Sequence, residues 1–149
     1  MNVTKKQYGE MTKKTSPNST IFKNCIKAFL VGGLICLIGQ GLTNLYMYWG
    51  VSADNSKLLC TITLVFLGAF LTAIHVYDNI AKHAGAGTIV PITGFANSIV
   101  APAIEFKSEG FITGLGVKMF VIAGPVLVFG ITASAIYGLI LYLIQVMHH

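Results

Sequence analysis

Few side chains in this sequence can do chemistry, and they are unevenly placed. There are five carboxylates, Glu10, Asp54, Asp78, Glu105 and Glu109, with four histidines and ten lysines. Gly68, Thr72, His75, Asp78 or Asn79, and Lys82 recur at steps of three and four. On a continuous helix that spacing puts them all on one side. Ionisable groups in so apolar a setting normally face protein or water, because facing lipid is costly. His75, Asp78 and Lys82 therefore offer a proton relay or a solute contact, or else a His75–Asp78 pair that anchors a helix end.

A second set is neutral. Thr93, Asn97 and Ser98 close the uncharged stretch "AGAGTIVPITGFANS" (84–98), which Gly85, Gly87, Pro91 and Gly94 make poorly suited to a continuous helix. "FITGLGVKMF" follows, with Lys107 before it and Lys118 inside it. Hydroxyls, an amide and two ammonium groups around interrupted backbone suit passage of an anion better than catalysis.

Catalytic motifs are missing. The sequence holds no phosphate-binding P-loop, no HExxH and no GxSxG, and Gly85-Ala86-Gly87 lacks the third glycine of a dinucleotide fingerprint. Cys25, Cys36 and Cys60 lack metal or disulfide spacing and read as small packing residues. His148-His149, two residues at a terminus, define no metal site. Neither an enzyme, a metal nor a cofactor is expected.

These residues need elements to hold them, and composition says which. Of 149 residues, 54% are hydrophobic and only 10% charged. The mean hydropathy is +0.74. Crossing about 30 Å of hydrocarbon takes about 20 apolar residues in a helix. Three runs qualify, at 28–49, 58–80 and 119–144. Gly33, Cys36, Gln40 and Asn44 share one face of the first, fitting helix packing or a pore lining. Tyr46, Tyr48 and Trp49 end it as an interfacial aromatic belt. Gly124-Pro125 predicts a kink in the last, and Gly130, Ser134 and Gly138 form a small ridge for docking a helix.

Between the second and last runs lie two Gly/Pro-broken apolar segments joined by the charged "EFKSEG". They read as a re-entrant or broken-helix hairpin, since irregular backbone survives at membrane depth only inside protein or beside a watery cavity. The expected fold is all-α: three transmembrane helices plus this hairpin, with four full spans as the alternative. Residues 1–21 form a lysine-rich tail expected to lack structure, and 22–149 the helical membrane domain. Six lysines precede the first span, which places the N-terminus inside and argues against nucleic acid as the reason for the net charge of +5.

"NCIKAFLVGGLICLIGQ" (24–40), "GAG" (85–87), "VPITGFANSIV" (90–100) and "EFKSEG" (105–110) resemble the SpoVAC/SpoVAEb family of sporulation membrane proteins. The resemblance covers about residues 22–143, and the Pro-x-Thr-Gly-Phe-Ala-Asn block is its most specific part. It implies a subunit of a channel in the forespore, later spore, inner membrane. That channel carries dipicolinic acid, as its calcium chelate, into the developing spore and out at germination, with tension as a proposed gate. A sister AEb membrane subunit and a soluble AD subunit are the implied partners, in a homo- or hetero-oligomer. Thr93, Asn97, Ser98, Lys107 and Lys118 are then expected to line the solute path, with Gly85, Gly87, Pro91 and Gly94 shaping it. A non-conducting scaffold and a proton-coupled carrier using His75 and Asp78 are the rival readings.

Overall fold

The computed structural model describes residues 4–15 and 20–147. His148 and His149 lie outside the described residues. Every regular element among those described is helical.

Helix α1 is Lys5–Thr15, within the tail expected to lack structure. Its start explains the difference. The Thr4 N–H donates to Gln7 Oε1 at 3.1 Å, and the Gln7 N–H donates back to Thr4 Oγ1 at 3.5 Å. That reciprocal pair satisfies two orphan donors of the first turn.

Helix α2, Ile21–Tyr48, has 28 residues and is about 42 Å long. Gly50, at φ +86, turns the chain into α3, Ala53–Ala73. The two helices are antiparallel and meet through small groups. Cys60 Sγ donates to the Gly39 carbonyl at 3.1 Å, and Tyr46 Oη lies 2.7 Å from Thr63 Oγ1.

The second span is shorter than the sequence suggests. It ends at Ala73, and His75 takes a left-handed conformation, φ 58 and ψ 20. Helix α4, Val76–Ala84, then sets off in a new direction, followed by the single turn α5, Ala86–Ile89. Gly85 joins them at φ 51, ψ −121, backbone open essentially to glycine alone. Pro91 caps α6, Ile92–Glu105. With no N–H and a fixed φ, proline fits the start of a helix.

Neighbouring residues fix the direction of this segment. Gly87 lies against Ala28 and Gly32 of α2, and Gly68 of α3 lies against Thr93. Thr72 meets Asn97, and His75 and Asp78 share a cleft with Ala101 and Glu105. Helix α6 therefore runs parallel to α3. The chain climbs through α4 and α5 to Pro91 and descends through α6 to the end it left. Three helical stretches, Ile21–Tyr48, Ala53–Ala73 and Phe111–Met147, are long and apolar enough to cross a membrane. The fold is thus three spans and a broken hairpin rather than four spans.

A 3-10 turn, Lys107–Glu109, and Gly110 at φ 109 reverse the chain. A π-helical turn, Phe111–Gly116, follows, in which the Leu115 N–H reaches the Gly110 carbonyl at 3.0 Å. It runs directly into α7, Val117–Met147, with Pro125 inside.

The interior is the reverse of a soluble core. Buried side chains are small or hydroxylic: Ser56, Cys60, Thr72, Tyr77, Ala84, Thr88, Thr93, Ala96 and Ala123. Phe29, Phe66 and Phe129 are 79%, 66% and 75% exposed. Lipid tails are as apolar as leucine, so large apolar side chains gain nothing by turning inward, and small and polar groups make the helix contacts.

Candidate functional site: the broken hairpin

The interrupted stretch is held by hydroxyls rather than by large apolar side chains. Tyr77, 4% exposed, reaches from α4 into the fold of the hairpin. Its hydroxyl donates to the Thr88 carbonyl at 2.8 Å and, its one proton so used, lies 2.9 Å from Thr93 Oγ1, from which it can accept. Thr88 Oγ1 in turn donates to the Gly85 carbonyl at 2.9 Å. One phenol thus joins α4, α5 and α6 at the point where helical bonding fails. An irregular backbone this deep requires such partners, because lipid supplies none.

A second tie connects the hairpin to α3. Thr72 Oγ1, 2% exposed as a residue, lies 2.7 Å from the Gly68 carbonyl and 2.9 Å from Asn97 Oδ1. The hydroxyl has one proton, so it serves one acceptor at a time.

Backbone approaches this close exclude side chains. A Cβ on Gly87 would strike the Ala28 carbonyl oxygen, and one on Gly94 the Thr88 and Ile89 carbonyls. One on Gly68 would stand 2.9 Å from the Thr93 carbonyl oxygen.

The expected path residues therefore divide. Thr93 is buried and bonded to Tyr77, while half-buried Asn97 is bonded to Thr72. Ser98 Oγ turns back to the Phe95 carbonyl at 2.7 Å. Lys107 is exposed on the 3-10 turn. Lys118 is half-buried, its ammonium 4.1 Å from the centre of the Phe106 ring, a cation–π contact rather than an ion pair with Glu105 or Glu109. Gly114 also abuts Phe106, at its carbonyl, so Gly114 and Lys118 face the same residue. Gly85 and Pro91 sit at the two breaks of the hairpin.

The polar stripe read along the second span is split by the turn at His75. Gly68 and Thr72 face α6, Lys82 is exposed at the far end of α4, and His75 and Asp78 line a cleft of about 280 Å³ with Glu105. No ion pair joins His75 to Asp78 among the described residues, so the helix-end anchor expected from their spacing does not form. The same residues contain no group of three His, Cys, Asp or Glu side chains placed to hold a metal.

Tyr77 and Thr88 are the residues whose roles sequence reading missed, while Gly68 was placed on the polar stripe without its contact to Thr93. Tyr77 carried a signal, a phenol beside an apolar run with threonines downstream, but its partners are set by the fold of the hairpin.

Among the described residues, the two faces expected to pack against helices have no close partner. Gln40 Nε2 donates to Asn44 Oδ1 at 2.9 Å, with both residues exposed and nothing within 4 Å of a Cβ on Gly33. Beyond Gly124, α7 is exposed throughout, and Gly130 and Gly138 likewise have nothing close.

Comparison with known proteins agrees with a membrane protein. No solved structure matches the chain. Stage V sporulation protein AC of Bacillus subtilis (strain 168) is 45% identical to it over 137 residues, covering 91% of each chain. The family model for SpoVAC/SpoVAEB sporulation membrane proteins matches residues 24–140, which take in α3 to α6 entire and most of α2 and α7. The chain is a multi-pass member of the SpoVAC/SpoVAEB family of sporulation membrane proteins.

Proposed function

We propose that this chain is a subunit of a channel in the spore inner membrane that passes dipicolinate, as its calcium chelate, inward during sporulation and outward at germination. The observation that carries the reading is the hairpin: backbone interrupted at Gly85 and Pro91, lodged between α2 and α3 and tied by Tyr77, Thr72 and Asn97. Hydroxyl and amide bonds can exchange partners, with each other or with a solute carboxylate, at little net cost. In this reading Thr93, Asn97 and Ser98 face the solute when the hairpin shifts, and Lys107 and Lys118 concentrate the dianion at its mouth. The lysine-rich end of α2 is the inner side, which puts the end of α7 outside.

The family supports a sister AEb subunit and a soluble AD subunit as partners. An oligomer is supported further by the exposed Gln40–Asn44 amides, which would be poorly placed against lipid alone. The unpartnered outer half of α7 favours a second reading, a scaffold subunit that recruits others without conducting. Reconstitution into liposomes loaded with dipicolinate, with and without the sister subunit, separates the two. Efflux that requires this chain and falls in hairpin variants supports the channel; assembly with partners but no efflux supports the scaffold.

A further inference from the structure

The cleft between the start of α2 and the end of α4 meets the hydroxyl network only at Gly85, whose carbonyl accepts from Thr88. It measures about 400 Å³. Ile21, Cys25 and Ala28 form one wall, and Ala84 and Ala86 the other. Asn24, Lys82 and His83 supply its polar groups, and no carboxylate lines it. Lys82 and His83 occupy the last turn of α4, the end of a helix that favours cations.

His83 is oriented by its own helix. Its Nδ1 lies 2.9 Å from the Asn79 carbonyl oxygen. A carbonyl only accepts, so Nδ1 carries a proton and Nε2 is left for a partner outside the helix. An ammonium and an amide, with the His83 ring beside them, around a small apolar hollow match a phosphate oxyanion.

The surroundings say how that phosphate arrives. Phe22 and Phe29 flank the α2 wall and are 78% and 79% exposed, apolar surface suited to acyl chains. Lys23 and Lys27 of α2 are exposed at the same level. We propose that this cleft binds the phosphate of an anionic phospholipid, holding the base of the hairpin against the membrane surface. The site touches the hairpin at Gly85 but includes none of Thr93, Asn97, Ser98, Lys107 and Lys118, and it stands whether or not the chain conducts.

The test uses the full chain purified in neutral detergent and given equal amounts of phosphatidylglycerol and phosphatidylcholine, with retained lipid counted by native mass spectrometry. Wild type should prefer phosphatidylglycerol by about five-fold or more, the scale of one lysine's attraction to an anionic surface. The double variant Lys82→Gln, His83→Gln should lose that preference. Cys25→Phe, which fills the cleft without touching a charge, should lose it as well. Lys57→Gln, in the exposed pair with Asp54 at the other end of the spans, should keep it. A preference unchanged in both cleft variants overturns the proposal. So does a cleft-dependent rise in melting temperature that excess inorganic phosphate in phosphatidylcholine micelles reproduces in full, for the site would then take the free anion.

Discussion

Gly87→Ala is the most direct probe of the hairpin. Gly87 is buried where α5 crosses α2, and its Cα faces Ala28 and Gly32. An added methyl would strike the Ala28 carbonyl oxygen and stand 2.9 Å from the Ala28 carbonyl carbon and Cα. All three are backbone atoms of a long helix, so no side chain can swing away. Overpacking of this kind costs about 1–3 kcal/mol, occasionally more. Helix propensity works the other way, since alanine gains up to about 1 kcal/mol over glycine. That gain is small here because α5 is one turn of 4 residues. The net expectation is a loss of about 1–2 kcal/mol. Thermal unfolding in detergent should show a lower midpoint for Gly87→Ala than for wild type. Gly33→Ala on α2, with nothing within 4 Å of the new methyl, should be neutral or stabilising. If Gly87→Ala melts at or above wild type while Gly33→Ala behaves as expected, α5 does not lie against Ala28 and the close approach is refuted.

Tyr77→Phe removes the hydroxyl that bonds to both Thr88 and Thr93 and should cost about 1–3 kcal/mol, seen as a lower unfolding midpoint and faster hydrogen exchange across residues 85–95. Unchanged exchange there would mean that the phenol does not hold the break. Lys118→Gln should assemble normally but pass dipicolinate more slowly than a neutral solute, with the difference shrinking at high salt as screening removes the lysine's advantage. Equal loss for both solutes would confine Lys118 to its contact with Phe106. A single cysteine at Gln145 in a cysteine-free background should label from the side opposite the N-terminal lysines; labelling from the lysine side would contradict three spans.

Much of the architecture follows from the sequence, because bilayer thickness is a length requirement that a run of apolar residues either meets or fails. Three runs meet it, and Gly85, Gly87, Pro91 and Gly94 announce that the stretch between the last two does not continue as one helix. Those features are local, set by the conformational limits of glycine and proline, and need no knowledge of neighbours. The small residues that make close helix contacts were legible as a type, though not as pairs. What only the tertiary structure decides is which groups meet. A helical stripe from Gly68 to Lys82 assumes one continuous helix; the left-handed turn at His75 divides it and sends Thr72 to Asn97 and Tyr77 to Thr93. The parallel course of α6 along α3 likewise depends on contacts between residues 25 apart, such as Gly68 with Thr93, that no periodicity encodes. Lys118 satisfies its charge on the face of Phe106 because the π turn at Phe111–Gly116 brings α7 back against the end of α6. Sequence spacing places side chains relative to their own helix, whereas a hydrogen bond in a membrane is placed by how that helix lies against the next.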